Sequence, residues 1–178
     1  MNQGKILILA LVFFLLGGYV CLFELRGGEK TQENEKVKKI LDFNPEHANE
    51  IKIVLAGKGK TIVFTKDGTD WRIKEPLSAG ADPDRIDAFL SIFDYGFIEI
   101  IDDSPSDLSQ YGLVNPEIEL TITVKGKEGI TLYTIFFGSS NPAKNACYCQ
   151  VGGDPRVYLV GALYKLDLEK DVSFYIKR

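Results

Sequence analysis

Two cysteines, one on either side of a tyrosine, are the residues of this sequence that most resemble a site for chemistry. Cys147 and Cys149 lie in a stretch with strand character, so both thiols would point to the same face as Val151. There they could serve as a redox pair, as half of a metal site, or as small buried apolar residues. The buried apolar interpretation is favoured, because a disulfide between cysteines two positions apart closes a small, strained ring.

Metal binding and nucleophilic catalysis would both need ligands or bases that this chain largely lacks. His47 is its only histidine, and it lies far from the cysteine pair in the sequence. A zinc site needs about four ligands, and no Ser-His-Asp or Cys-His arrangement can be built on one histidine with a natural spacing. We therefore predict no catalytic residue, no cofactor and no metal ligand.

Two neighbouring acids, Asp102 and Asp103, could suggest metal or acid–base chemistry. No histidine lies nearby, and Ser104 and Pro105 follow them. A polar loop with capping residues is the favoured interpretation. A carboxylate pair for glycoside hydrolysis stays open, because Asp and Glu are plentiful, but no particular pair stands out.

Residues 59–61 resemble the end of a phosphate-binding loop. The full pattern requires a glycine five positions before Gly59, where this chain has Val54. The residues that follow predict a strand, whereas a phosphate site needs the N-terminus of a helix. We predict no nucleotide site here. The net charge of −4 also argues against a nucleic-acid partner.

Trp71, the only tryptophan, and Tyr111 could form a stacking platform for a sugar, a base or a peptide. The alternative is that they belong to the core, since a large aromatic residue on a half-buried strand usually faces its own helix. The core interpretation is favoured.

An uncharged apolar run occupies residues 6–23, between Lys5 and Glu24. Its 18 residues would span about 27 Å as a helix, close to the hydrocarbon thickness of a bilayer. We predict a single-pass transmembrane anchor, preceded by a short flank at residues 1–5. A cleaved signal peptide is the alternative, although residues 24–28 offer only a weak cleavage site. A lipoprotein signal at Cys21 fails, because bulky residues precede that cysteine.

The orientation of this anchor follows less directly from charge. Lys5 favours a cytoplasmic N-terminus, whereas the basic residues after the run (Arg26, Lys30, Lys36, Lys38 and Lys39) favour the reverse. We predict an exported domain, partly on the family resemblance described below. Residues 24–47 are predicted to be a charged linker that leads to a globular domain at residues 48–178.

That domain is predicted to be α+β, with an antiparallel meander sheet and one main amphipathic helix packed on it. Short turns separate alternating strands at residues 51–55, 62–67 and 70–75. Asp82 and Pro83 are typical of a helix start, and the helix should run to about residue 95, before Gly96. Its apolar stripe should cover the strand face that carries Trp71; the stripe comprises Ile86, Phe89, Leu90 and Phe93.

The second half of the domain is predicted to be mostly strands. Residues 118–124 alternate strictly, so one face should be buried and the other wet. Residues 130–137 are apolar on both faces, which is typical of a central strand. A loop at 138–145, strands at 146–151 and 157–160, a short helix near Leu163, and a final strand or docked tail at 174–176 should follow.

An ordered set of motifs in this chain resembles a bacterial family catalogued as domain of unknown function 4340. The match covers about residues 48–178 and the anchor. It rests on Trp71, Ile73 and Pro76, Ala81-Asp82, Tyr111-Gly112-Leu113 with Pro116, Phe137-Gly138, Tyr148, and residues 157–160. This chain is shorter than many relatives and has cysteines around Tyr148.

The resemblance implies no activity and no site residues. Some members are encoded beside ABC-transporter components of the gliding-motility type, which implies an accessory role in the cell envelope. We therefore predict a non-enzymatic module tethered to the inner membrane, with its domain on the periplasmic side and a protein partner in or near the same membrane. Its contact surface would be an exposed strand edge or the polar face of Glu119, Thr121 and Thr123. The alternative is an enzyme, redox or metal protein that uses Cys147 and Cys149.

Overall fold

The structure, a computed structural model, describes Tyr19 and residues 38–127 and 129–177. The predicted anchor at residues 6–23 lies outside the described residues, except for Tyr19. Among the described residues, no helix is long and apolar enough to cross a membrane. The described residues between 38 and 177 belong to one compact unit.

Nine strands form one antiparallel sheet in the described part of this unit. They are β1 (Ala48–Leu55), β2 (Lys60–Asp67), β3 (Asp70–Glu75), β4 (Ala79–Gly80), β5 (Glu99–Asp102), β6 (Ile118–Gly126), β7 (Gly129–Ser140), β8 (Ala146–Val151) and β9 (Val157–Gly161). Their order across the sheet is β4-β3-β2-β1-β6-β7-β8-β9-β5. Two meanders therefore meet where β1 pairs with β6, and the predicted antiparallel α+β architecture is confirmed.

The main helix, α1 (Pro83–Leu90), begins where the sequence predicts. The side chain of Asp82 accepts a hydrogen bond from the backbone N–H of Asp84 at 3.1 Å, which caps the helix. The predicted final turn is tighter than an α-helix, because residues 91–95 form a 3₁₀ turn that ends at Gly96 with a φ of 66°. The whole predicted stripe is buried, and so is Trp71, which is 4% exposed.

A second helix, α2 (Leu163–Leu168), and the C-terminal tail pack on the same face of the sheet as α1. The ring of Tyr164 lies 5.9 Å from Phe93, and the ring of Tyr175 lies 6.4 Å from Phe89. The tail continues to β4, where Ile176 bridges to Ala81. It is therefore a docked tail, one of the two predicted outcomes.

The chain before β1 also contributes to this core. Ile40 and Leu41 are buried, and the ring of Phe43 packs 5.5 Å from that of Tyr133. These residues fall in the segment predicted as linker, so the packed part of the chain begins before β1.

The prediction that residues 130–137 form a central strand is correct only for the second half of that stretch. Ile135 and Phe137 are fully buried between β6 and β8. Ile130 and Leu132 are 69% and 65% exposed. The reason is that β8 begins to pair with β7 only at Ile135, so the first half of β7 is an edge. The loop predicted from residue 138 also starts later, because β7 extends to Ser140.

Candidate functional site

Cys147 and Cys149 lie in the core, as their spacing on a strand indicated. Both side chains are fully buried on β8. Burial raises the pKa of the Cys147 thiol to about 11 and that of Cys149 well above its usual range. Within residues 38–127 and 129–177, no group of three His, Cys, Asp or Glu side chains could hold a metal ion. Because the thiolate is the reactive form, this environment makes both cysteines poor nucleophiles.

We expect neither of these thiols to react with a disulfide reagent at pH 8 while the chain is folded. The measurement is a spectrophotometric thiol count in a Cys21→Ser background, before and after the addition of guanidinium. Both thiols should react only after unfolding, whereas an added cysteine at Leu166→Cys, a position 64% exposed, should react at once. Rapid modification of Cys147 or Cys149 in the folded chain would contradict the expectation and revive the redox alternative.

The turn at residues 111–113 docks closely on β7. A Cβ added to Gly138 would lie 2.1 Å from the backbone oxygen of Tyr111, so only glycine allows this approach. The Tyr111 ring packs edge-on against Tyr148 at 5.2 Å, and its hydroxyl donates to Asp102 at 3.2 Å. Asp102 also accepts from the backbone of Ser104. Tyr111 and Asp102 therefore fix a polar loop on the outer face of the sheet. The core interpretation is correct for Trp71 but not for Tyr111, which is only half-buried.

A charged network that the sequence analysis missed closes the turn between β8 and β9. Arg156 donates to both carboxylate oxygens of Asp154, at 2.9 and 2.6 Å, and the hydroxyl of Tyr158 donates to the same carboxylate at 2.6 Å. Arg156 thereby holds the pKa of Asp154 well below its usual range. Burial, with the bond to Asp154, raises the pKa of Tyr158 to about 12. The spacing of Asp, Arg and Tyr at alternate positions around a turn was the available signal.

The phosphate-loop-like residues line a groove of about 580 Å³ at the start of β2. A strand follows them, as predicted. Lys58 pairs with Glu169 at 2.8 Å and Lys60 with Asp171 at 3.8 Å, across the groove. Because these lysines already face carboxylates of the C-terminal segment, the groove does not present a free anion receptor.

The first half of β7 is an open strand edge. Residues 129–133 pair with β6 alone, while β8 pairs with β7 from Ile135 onwards. Among the described residues, no other backbone group bonds to this stretch. Tyr133 secures it from the inner face, where its hydroxyl donates to the backbone oxygen of Asp42 at 3.3 Å. We call residues 129–133 the open edge.

Ile130 and Leu132 direct their backbone groups outward from this edge. The carbonyl of Thr134 accepts from Gly152 at 2.8 Å on the β8 side, and the carbonyl of Phe137 accepts from Glu117 at 2.9 Å on the β6 side. Backbone groups alternate between the two sides of a strand. Ile130 and Leu132 lie four and two positions before Thr134, so their N–H and C=O groups point to the same side of β7 as those of Thr134. At the open edge that side faces solvent.

The two surfaces that the sequence left as alternatives are continuous. Leu132 lies beside Thr123 of β6, and Thr123 lies beside Glu50 of β1. Side chains on paired strands in register share one face. The polar face therefore ends at the exposed side chains of the open edge.

The outer strands of the sheet are protected in ways that the open edge is not. The C-terminal tail covers β4, where the N–H of Lys177 donates to the carbonyl of Gly80 at 3.0 Å. At the other end, β5 is four residues long and bears Glu99 and Asp102. Short length and charge are common means of preventing unwanted strand pairing. The open edge has neither a cover among the described residues nor a charge of its own.

Comparison with known proteins identifies the family of this chain. A family model described as Domain of unknown function (DUF4340) matches residues 71–177, from the middle of the first meander to the docked tail. The matched part contains the docked turn, the Asp154 network and the open edge. No curated protein and no solved structure matches the chain.

Proposed function

We propose a function on the premise that this chain belongs to the family described as Domain of unknown function (DUF4340). The chain is a non-enzymatic interaction module, tethered by residues 6–23 to the inner membrane with its domain on the periplasmic side. It binds a protein partner in or near the same membrane. The partner contributes an extended segment that pairs with the open edge of β7.

The observation that carries this proposal is the open edge itself. Ile130 and Leu132 are exposed, uncharged and followed by a strand segment that is fully paired on both sides. An edge of this kind recruits an extended peptide through backbone hydrogen bonds, and side-chain contacts on alternate residues add selectivity. Membrane tethering raises the effective concentration of a partner in the same membrane, so a short edge suffices.

The membrane location is supported by the apolar run at residues 6–23 and by the resemblance to membrane-anchored relatives. The link to an ABC-transporter-type complex rests on that resemblance alone. Redox or metal chemistry at Cys147 and Cys149 receives less support, because both thiols are buried with raised pKa values.

The proposal is tested by proline substitution at the open edge. Leu132→Pro removes a backbone N–H that points to solvent, so the ladder to β6 stays intact. Leu132→Ala keeps that N–H and serves as the matched control. In cells that carry the full chain with a photo-crosslinking residue at Ile130, we expect a crosslinked protein whose yield falls at least about tenfold with Leu132→Pro, about the effect of one lost hydrogen bond of 1.4 kcal/mol.

Leu132→Ala should lower that yield less, and a crosslinking residue at Leu166 on α2 should give no product. Protease resistance of the folded domain checks that both variants fold. A crosslinked product that is insensitive to Leu132→Pro, or absent from position 130, would refute binding at the open edge.

A further inference from the structure

We infer that the segment accepted at the open edge is the same edge of a second copy of this chain. The inference rests on the proposed function, since it names the partner of the surface described there. The first ground is the direction in which the backbone groups of β7 point along the open edge. The others are the absence of charge on this edge and the side chains that a two-fold axis would bring together.

A two-fold axis through Thr131 satisfies the open edge completely. Antiparallel pairing about this residue places Ile130 opposite Leu132 of the second copy, and Leu132 opposite Ile130. Both residues direct N–H and C=O groups outward, as the bonds of Thr134 and Phe137 establish. Residues opposite each other in this phase exchange two hydrogen bonds. The pairing therefore forms four hydrogen bonds and leaves no outward group of Ile130 or Leu132 unpaired.

Neighbouring registers are less favourable. An axis through Leu132 would bring in Thr134, whose carbonyl already accepts from Gly152 at 2.8 Å. An axis through Ile130 would place Leu132 opposite residue 128, which lies before the start of β7 at Gly129. Only the axis at Thr131 confines the ladder to residues whose edge groups are free of other described partners.

The absence of charge along the open edge permits pairing with an identical strand. Residues 129–133 carry no charge, so self-pairing desolvates none and places no like charges opposite each other. The basic side chains near the edge, Lys125 and Lys127, belong to the hairpin. In an antiparallel pair the two Lys125 residues are separated by three strand spacings, about 14 Å, which exceeds the screening length at physiological salt.

The side chains at this pairing are also complementary. Ile130 of each copy stands beside Leu132 of the other on the outer face, which gives two apolar cross-strand pairs from residues that are 69% and 65% exposed in one copy. On the inner face Gly129 stands opposite Tyr133, so the larger ring faces a residue without a side chain.

The interface between the two copies is small, so we expect the pair to form only where the chains are concentrated. Four hydrogen bonds and two apolar pairs are far fewer than a stable soluble complex needs, which buries about 1,200 Å² or more. Two copies confined to one membrane meet at a much higher effective concentration. The pair should therefore form between membrane-tethered chains and dissociate in dilute detergent.

Disulfide trapping in membranes tests both the partner and the register. The full chain carries Cys21→Ser, and single cysteines replace Thr131, Ile130 or Leu132 in turn. At a non-hydrogen-bonded pair the two copies of residue 131 would have Cα atoms about 4.5 Å apart, within disulfide reach. Two copies of residue 130 would be offset by two positions and lie about 8 Å apart, beyond that reach.

We expect Thr131→Cys to give at least about five times more disulfide dimer on oxidation than Ile130→Cys or Leu132→Cys alone. Coexpression of differently tagged Ile130→Cys and Leu132→Cys chains should restore the dimer, because these two residues are opposite each other. This mixed pair also keeps the test valid if Thr131→Cys folds poorly. Dilution in detergent before oxidation should abolish the product.

The remaining outcomes separate the inference from the proposed function. Equal dimer yield at all three positions would indicate random collision and overturn the inference. Trapping of a different protein at position 131, without self-dimer, would overturn the second copy as partner while the open edge remained a binding site. No product at any of the three positions, together with an insensitive Leu132→Pro crosslink, would refute binding at the edge altogether.

Discussion

Gly138→Ala is expected to destabilise the domain by about 3 kcal/mol or more, at the upper end of what overpacking costs. The added methyl group would lie 2.1 Å from the backbone oxygen of Tyr111 and 3.1 Å from the side chain of Leu113. A backbone oxygen cannot rotate away as a flexible side chain can. The turn at residues 111–113 must therefore move off β7 or the strand must distort.

The destabilisation would come from contact alone, since Gly138 lies outside the left-handed backbone region that favours glycine. The matched control is Gly161→Ala at the end of β9, where an added Cβ meets nothing within 4 Å. Urea unfolding of the full chain in detergent provides the free energies. If Gly138→Ala lowers the free energy of unfolding no more than the control does, the turn at residues 111–113 can move to accommodate the added methyl group, and the prediction is wrong.

Phe89→Ala should cost about 3–5 kcal/mol, because it removes a fully buried aromatic ring and leaves a cavity. Phe89 is 3% exposed, and its ring makes edge contacts with Phe93 and Tyr175. It therefore joins α1 to the docked C-terminal tail over the sheet. The control is Leu166→Ala on α2, which is 64% exposed and should change the free energy of unfolding by less than about 0.5 kcal/mol.

The same urea titration distinguishes the two residues. If Phe89→Ala lowers the free energy of unfolding by less than about 1 kcal/mol, the apolar stripe of α1 does not pack on the sheet as described. A fall in the denaturant slope would indicate instead that the tail had detached before global unfolding.

Local features of this domain were determined by the sequence. The start of α1 follows from Asp82 and Pro83, because capping and the fixed φ of proline act within a few residues. The buried stripe of α1 and the burial of Ile118, Leu120 and Ile122 follow from their periodicity, which states which side of an element is apolar. The burial of Cys147 and Cys149 followed in the same way.

The tertiary structure decided which of these elements become neighbours and where each pairing stops. Residues 130–137 are apolar on both faces, a pattern shared by a central strand and an exposed edge. Which half is exposed depends on where β8 begins to pair, and that register is set by residues beyond the loop. Likewise, Gly138 must be glycine only because Tyr111, distant in the chain, docks against it. Contacts between distant residues leave no periodic signal in either segment, so the candidate site emerges only when the sheet is assembled.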